Sequence, residues 1–212
     1  MDHSPTGLAN RQRLLLELGL DQRELFTVTQ RHSDTVVDAD SQPTKSPGDA
    51  IIALESNAVI AVGVADCPAV LLYDPATGAR AAVHSGWRGT EKNIVTKTVS
   101  KLTRGYGVEP QNLWAWISPA AQQRSYEVEK DVACLFDGKY LQQKNDVKSL
   151  LDVQRAVYDQ LIECGLTEKH IERNTQDTIT GERFHSCRRS GGNDYGLMLA
   201  FLAINQSRAS WA

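Results

Sequence analysis

Three short apolar runs joined by polar breaks constrain the fold of this 212-residue chain more than any other feature. Val59–Val64 and Ala69–Tyr73 each have the length and composition of a buried β-strand. Asp74–Gly78 reads Asp-Pro-Ala-Thr-Gly, which is typical of a tight turn, and Ala79–Val83 supplies the third run. The chain is therefore expected to turn back on itself here and to form antiparallel strand pairs.

Two residues with reactive side chains lie at the ends of these runs. Cys67 is in the break between the first two runs, and His84 follows the third. A lone cysteine or histidine is more often a buried core residue, but functional groups concentrate in loops at strand ends. Because an antiparallel return brings the end of one strand beside the start of another, we expect Cys67 and His84 to meet.

A second imidazole, His32, occurs upstream in Gln30-Arg31-His32-Ser33. One thiol and two imidazoles are a sufficient donor set for a zinc ion that keeps one position open for water or substrate. The alternative is a cysteine nucleophile with His84 as its base. His32 favours the metal site, because a thiol nucleophile needs only one imidazole.

The segment after His84 has the pattern of an anion site. Ser85, Gly86 and Arg88 belong to a short polar turn that runs into a helix, and we expect Thr90 to cap that helix. The planar guanidinium of Arg88 suits phosphate or carboxylate, and Arg188 can add further positive charge.

Asp49, in Gly48-Asp49-Ala50, precedes another apolar segment. It can act as an acid or base, or it can orient a ligand histidine, and the sequence leaves a simple turn or cap role open.

Helical and strand patterns interleave along the chain. Apolar spacing and flanking turn residues predict helices over 10–18 with Asn10 as the N-cap, from Thr90 to Gly105, and from Asp152 to Gly165. Further strands are expected at Phe26–Gln30, Leu113–Ile117 and Leu197–Ile204. Since the hairpin turn requires antiparallel pairs, the expected fold class is α/β of the α+β type. We expect mixed β-sheets flanked by helices in a single domain over residues 1–212.

Composition excludes several function classes. The net charge of −3 offers no electrostatic case for nucleic acid or an anionic membrane. No apolar run approaches the roughly 18–20 residues of a spanning helix, and no secretory signal is visible at the N-terminus. The four scattered cysteines are expected to be free thiols or ligands in a cytoplasmic protein. A monomer or weak homo-oligomer is expected.

The same motifs carry a family resemblance. In order along the chain they are Thr29–His32, Gly48–Ala50, Ala65–Pro68, His84–Gly89, Tyr126–Val128 and Phe184–Arg189. From about Asn10 to the C-terminus the chain resembles the YfiH-like laccase-domain family, also called the multicopper polyphenol oxidase or purine nucleoside phosphorylase family. The Ala-Asp-Cys and His-x-Gly-Trp-Arg-Gly elements together are highly specific.

The resemblance implies mixed β-sheets with flanking helices and a metal bound by His32, Cys67 and His84. Zinc is the metal it usually implies, although copper-dependent phenol oxidation gave the family its older name. It also implies phosphorolysis of adenosine, inosine, guanosine or methylthioadenosine, and deamination of adenosine. The expected partners are therefore a nucleoside and phosphate. For the cleavage of the glycosidic bond that this activity implies, we expect Asp49 to protonate the departing base.

Departures from the family, which also include Ser118-Pro119 in place of the usual Gly-Pro, keep other functions open. Most members have some tens of residues before the segment matching Asn10, with a Ser-x-Arg strand and a Gly-Gly turn that contribute to the site, and we expect this chain to lack them. The usual Gly-Arg-Met reads Gly196-Leu197-Met198. The alternatives are a copper-dependent polyphenol oxidase, a cysteine hydrolase, or a catalytically impaired metal-binding module.

Overall fold

The structure is a computed structural model that describes residues 5–55 and 57–204. Within these ranges the chain forms five α-helices and twelve β-strands. In chain order they are α1 (Pro5–Glu17), β1 (Leu25–Thr27), β2 (Val36–Asp38), β3 (Ala50–Ala53), β4 (Val59–Val64), β5 (Ala69–Tyr73), β6 (Arg80–His84), α2 (Trp87–Glu91), α3 (Ile94–Tyr106), β7 (Trp114–Ile117), β8 (Glu127–Glu129), α4 (Lys130–Ala133), β9 (Leu141–Gln143), β10 (Lys148–Leu151), α5 (Val153–Glu163), β11 (Ile171–Arg173) and β12 (Met198–Leu202).

The predicted hairpin is the centre of a six-stranded sheet with the order β11-β7-β5-β6-β3-β2. Strands β5 and β6 pair antiparallel from Ala69↔His84 to Tyr73↔Arg80. Asp74 closes the connecting turn, because its carboxylate accepts hydrogen bonds from the Ala76 and Thr77 amides. The predicted strands β4 and β5 are confirmed residue for residue.

Two smaller sheets complete the architecture. One has the order β1-β4-β12, in which β4 pairs parallel with β1 and antiparallel with β12. The other has the order β8-β10-β9 and is antiparallel. Parallel and antiparallel pairs therefore coexist, and the predicted class of mixed sheets flanked by helices is confirmed.

Strands β3 and β6 of the central sheet are buried on both faces, and their alternating side chains separate two apolar clusters. Ile52 and Val83 point into the cluster that includes buried residues of α3 and α5. Their neighbours Ile51 and Ala82 point into the cluster shared with β4 and β12. Side chains alternate between faces along a strand, so one buried sheet supports both layers.

Several predicted helix boundaries are wrong, and the reasons are local. Helix α1 begins five residues before Asn10, so Asn10 is inside the helix and does not cap it. Thr90 lies within the short helix α2, and Asn93 in a left-handed conformation separates α2 from α3. Helix α3 continues past Gly105 and ends at Gly107, which has φ +67°. Asp152 caps α5 as predicted and accepts a hydrogen bond from the Arg155 amide.

Two further findings bear on the expected class of protein. All four cysteines are free thiols. Across residues 5–55 and 57–204, none of the helices combines the length and the apolar character needed to cross a bilayer.

Candidate metal centre

The register of the β5–β6 hairpin brings Cys67 beside His84. Because Ala69 pairs with His84, the two residues before Ala69 lie next to the end of β6. A hydrogen bond from the Ser85 amide to the Pro68 carbonyl (2.9 Å) holds the two chain segments together past the last strand pair. Asp66 has φ +88°, and this left-handed turn directs the chain out of β4 and into the loop that carries Cys67. The predicted meeting of Cys67 and His84 is confirmed.

Asp49 holds both histidines in place. Its carboxylate is completely buried and accepts hydrogen bonds from the backbone amides of Arg31, His32 and Ser33. These amides curl around the carboxylate because His32 has φ +55°. The same carboxylate lies 2.9 Å from Nδ1 of His84. One buried side chain therefore fixes the loop of His32 and the ring of His84.

The three predicted ligand residues form a compact cluster. The donor atoms of His32, Cys67 and His84 all lie within 4.8 Å of one another. The Cys67 Sγ is 3.9 Å from the His32 Nε2, and the two imidazole rings meet edge to face with centroids 4.8 Å apart. Ligands of a tetrahedral zinc ion are separated by about 3.5 Å, given metal–ligand distances of about 2.0–2.3 Å. The donor set and its spacing therefore fit a divalent ion after small side-chain adjustments.

Mutual attraction sets the charges of this cluster. Burial alone raises the pKa of the Cys67 thiol and lowers that of the His84 imidazole. The charge of His84 and the hydrogen bond with His32 outweigh burial and lower the pKa of Cys67 to about 6. The Cys67 charge and the Asp49 hydrogen bond raise the pKa of His84 to about 9. For Asp49, burial is likewise outweighed by hydrogen bonds from His84 and Ser33, so its pKa lies well below the ordinary value. Near neutral pH a thiolate therefore faces an imidazolium, with an ionised carboxylate behind.

A cleft of about 360 Å³ opens above the cluster. Its walls contain the three donors, two arginines and several aromatic side chains. The residues that line the cleft include His32, Cys67, His84, Trp87, Arg88, Tyr126, Cys187, Arg188, Tyr195 and Leu197. A small polar molecule entering this cleft meets both the donor atoms and positive charge.

Both arginines of the cleft rest on aromatic rings. The guanidinium carbon of Arg88 lies 4.2 Å from the centroid of the Trp87 ring. The guanidinium carbon of Arg188 lies 5.0 Å from the centroid of the Tyr126 ring, and its Nη1 donates to the Glu127 carbonyl. Stacking orients a guanidinium and leaves its N–H edge available for an anion. Arg88 and Arg188 therefore both line the cleft, and their role in binding an anion stays a prediction.

The predicted anion turn itself is arranged differently from expectation. Ser85 is fully buried, its hydroxyl pairs with that of Thr90 (2.9 Å), and its amide bonds to Pro68. This geometry assigns Ser85 to holding the turn and disagrees with the predicted phosphate contact. Gly86 packs beneath the cluster, since a Cβ there would lie 2.7 Å from the Cys67 Sγ and 3.1 Å from the His32 Cδ2.

Two functional residues were missed by the sequence analysis. The carboxylate of Asp66 accepts from the Thr178 hydroxyl and from the Arg188 amide, both at 2.7 Å, and so ties the Cys67 loop to the C-terminal segment. Gln30 makes two 2.8 Å hydrogen bonds with the backbone of Gly63 and anchors the His32 loop to β4. Their adjacency to Cys67 and His32 in the sequence was the available signal.

The adjacent Arg188 and Arg189 have separate tasks. Arg188 reaches the cleft, whereas Arg189 donates to the backbone carbonyls of Thr178, Ile179 and Gly181. Arg189 therefore stabilises the loop that presents Arg188. His185 lies in an irregular segment outside the strands and packs on Gly196.

A mixed α/β fold with two histidines and one cysteine converging under a cationic cleft defines a class of metal-binding domain. The sequence profile of the family described as "Multi-copper polyphenol oxidoreductase laccase" matches residues 1–205. The chain belongs to this laccase-domain family, which is the YfiH-like family indicated by the sequence motifs.

Relatives of known name and a solved structure agree with this assignment. The chain is 31% identical over 191 residues to a purine nucleoside phosphorylase of Corynebacterium glutamicum, covering 86% of this chain and 76% of the relative. It is 30% identical over 198 residues to a purine nucleoside phosphorylase of Deinococcus radiodurans, covering 92% and 76%. The crystal structure of the hypothetical protein YfiH of Bacillus licheniformis superposes with a TM-score of 0.88 at 23% identity, covering 93% of this chain and 80% of that one. The last comparison shows the fold alone.

Proposed function

We propose that this chain is a metal-dependent purine nucleoside phosphorylase acting on adenosine, inosine, guanosine or methylthioadenosine. The observation that carries the proposal is the convergence of His32, Cys67 and His84 at the base of a cleft that two stacked arginines also line. The names of the relatives from C. glutamicum and D. radiodurans support the same reaction.

In this proposal Arg88 and Arg188 bind phosphate and orient it toward the nucleoside. A phosphate oxygen forms a bond to the C1′ of ribose as the bond from C1′ to the purine nitrogen breaks, and the base leaves with the electron pair and takes up a proton. A divalent ion on His32, Cys67 and His84 supplies Lewis-acid chemistry at the base of the cleft. Holding both reactants in one orientation can lower the barrier by several kcal/mol.

The surroundings of Asp49 favour a positioning role over the expected acid role. Its carboxylate is ionised, completely buried and engaged by backbone amides and by His84. A group with these partners has no proton to give to a departing base. We therefore propose that Asp49 orients His84, whose Nδ1 it holds, so that Nε2 faces the metal.

Zinc is the proposed ion, with copper as the alternative. In the part of the chain that the structure describes, His32, Cys67 and His84 form the one group of three such side chains with the spacing of a metal site. Multicopper oxidation requires a second ligand group, which favours the phosphorylase over the oxidase. The four free thiols fit the proposed cytoplasmic location.

The test is an assay of adenosine with and without phosphate, with metal content measured on the same preparation. Phosphorolysis yields adenine and ribose 1-phosphate only when phosphate is present. The proposed additional deaminase activity yields inosine whether or not phosphate is present. Adenosine, inosine, guanosine and methylthioadenosine all left unchanged by the zinc-loaded protein would contradict the proposal.

A cysteine hydrolase is the second candidate, and one observation favours it. Cys67, His84 and the carboxylate of Asp49 are arranged as nucleophile, general base and the group that orients the base. Such a hydrolase needs Cys67 and His84 but not His32. Activity that survives both a chelator and His32→Ala, yet is lost on alkylation of Cys67, would identify the hydrolase.

A further inference from the structure

Three aromatic side chains line the cleft, and one of them is presented differently from the others. Trp87 and Tyr126 each carry a guanidinium on the ring. Tyr195 stands at the wall with 41% of its surface exposed. An exposed aromatic ring beside a ligand cleft is an apolar, flat surface that another flat ring can cover.

The backbone on both sides of Tyr195 is fixed. Gly196 lies against the ring of His185, since a Cβ on Gly196 would be 2.6 Å from the His185 Cε1. Before Tyr195, the Gly192 amide donates to the Cys187 carbonyl at 2.8 Å. Asp194 in between has φ +46°, a left-handed conformation that turns the chain toward the cleft. The position of Tyr195 is therefore set by close packing and by a defined turn.

The remaining surfaces of the cleft already have partners for the other parts of a nucleoside phosphorolysis reaction. The donor cluster lies at the base, and Arg88 and Arg188 carry the positive charge for phosphate. A purine base is neutral, flat and aromatic, so it matches neither of these surfaces. The exposed ring of Tyr195 offers the flat apolar surface that the donor cluster and the two arginines lack.

We propose that the ring of Tyr195 stacks on the purine base of the substrate and positions it for cleavage. This inference rests on the proposed function and adds a base-recognition residue to it. In this proposal the contribution comes from the ring face, and the phenol hydroxyl, which hydrogen-bonds with the Cys187 side chain, does not contact the base. Loss of the ring is expected to weaken nucleoside binding about three- to tenfold, the range that an aromatic pair provides.

The test compares Tyr195→Ala with Tyr195→Phe by calorimetric titration with inosine and with ribose 1-phosphate, which has no base. Both variants are zinc-loaded, and their metal content and thermal unfolding are matched to wild type. Tyr195→Ala should weaken inosine binding, Tyr195→Phe should not, and ribose 1-phosphate should bind all three proteins equally. Equal inosine affinity in Tyr195→Ala, or equal loss for both ligands, would overturn the stacking role.

Different results would overturn the phosphorylase activity and the stacking role of Tyr195. Wild-type protein that binds neither inosine nor ribose 1-phosphate would overturn the phosphorylase proposal and the stacking role with it. Wild-type protein that cleaves inosine with phosphate, together with Tyr195→Ala that has the same KM for inosine, would overturn the stacking role alone.

Discussion

At the scale of single residues, Asp49 determines how well the centre can bind a metal. Its carboxylate accepts the Nδ1 hydrogen of His84 and three backbone amides around His32. In Asp49→Asn the charge is lost, and the amide NH₂ faces donors that need an acceptor. We expect zinc affinity to fall about 10- to 100-fold, the usual effect of removing a partner behind a ligand histidine. Competition with a chromophoric chelator measures the zinc affinity of the wild type and of the variant.

Asp74→Asn is the matched control for this variant. Asp74 is equally enclosed and also accepts backbone amides, but it lies in the turn at the opposite end of the β5–β6 hairpin. The Asp74→Asn variant should have a lower thermal stability than the wild type and the same zinc affinity. Wild-type zinc affinity in Asp49→Asn would show that the carboxylate does not support the centre.

The sequence could identify the donors at this scale but not the contacts around them. Cys67, His32 and His84 were predictable because few residue types bind metals and because the hairpin returns the chain. The dispositions of Asp49 and Ser85 depend on burial and on hydrogen bonds to residues far along the chain. A sequence pattern does not contain those contacts, so an acid and a phosphate ligand were expected where the structure has buried side chains that hydrogen-bond to their neighbours.

At the scale of secondary-structure elements, the turn from β6 into α2 must pass directly beneath the cluster. Gly86 permits this because it has no Cβ. In Gly86→Ala the methyl group would have to displace the Cys67 Sγ or the His32 ring. We expect loss of tight zinc binding, measured as metal content after dialysis, with secondary structure retained by circular dichroism.

Gly105→Ala separates this effect from a general effect of adding a methyl group. A Cβ at Gly105 meets nothing within 4 Å, and the residue lies within helix α3. The Gly105→Ala substitution should raise the free energy of unfolding by about 0.5–1 kcal/mol and leave zinc binding intact. Full zinc content in Gly86→Ala would contradict the tight packing of this turn.

Elements with a strong local signal were predicted well, and those shaped by tertiary contacts were not. Strands β4 and β5 and the turn after them were confirmed because apolar runs and turn residues act locally. The break at Asn93 between α2 and α3 has no such signal, since asparagine adopts helical conformations as well. The segment that carries Tyr195 was missed because its place in the cleft comes from packing on His185.

At the scale of the whole molecule, metal binding, protonation and stability are coupled. Zinc requires a deprotonated His84, whose pKa in the metal-free protein is raised to about 9, whereas Cys67 with a pKa of about 6 is already a thiolate at neutral pH. Each zinc ion therefore displaces about one proton between pH 7 and pH 9, so affinity should rise about tenfold per pH unit there. The zinc-induced increase in Tm should grow over the same range.

Thermal unfolding in chelator-buffered zinc at several pH values measures this coupling. Zinc displaces this proton whether the metal-free pair is thiolate with imidazolium or thiol with imidazole, so constant affinity above about pH 7 is expected only if Cys67 and His84 hold no proton there. An increase in Tm that levels off near pH 7 would therefore contradict a proton held by Cys67 and His84 in the metal-free protein.

The convergence of three chain segments on one ion is tested most directly by X-ray absorption at the zinc edge of the loaded wild-type protein. The expected first coordination sphere has one sulfur at about 2.3 Å and nitrogen or oxygen atoms at about 2.0–2.1 Å, with imidazole scattering that decreases in His32→Ala and in His84→Ala. A sphere without sulfur, or one that His32→Ala leaves unchanged, would contradict a centre formed by His32, Cys67 and His84.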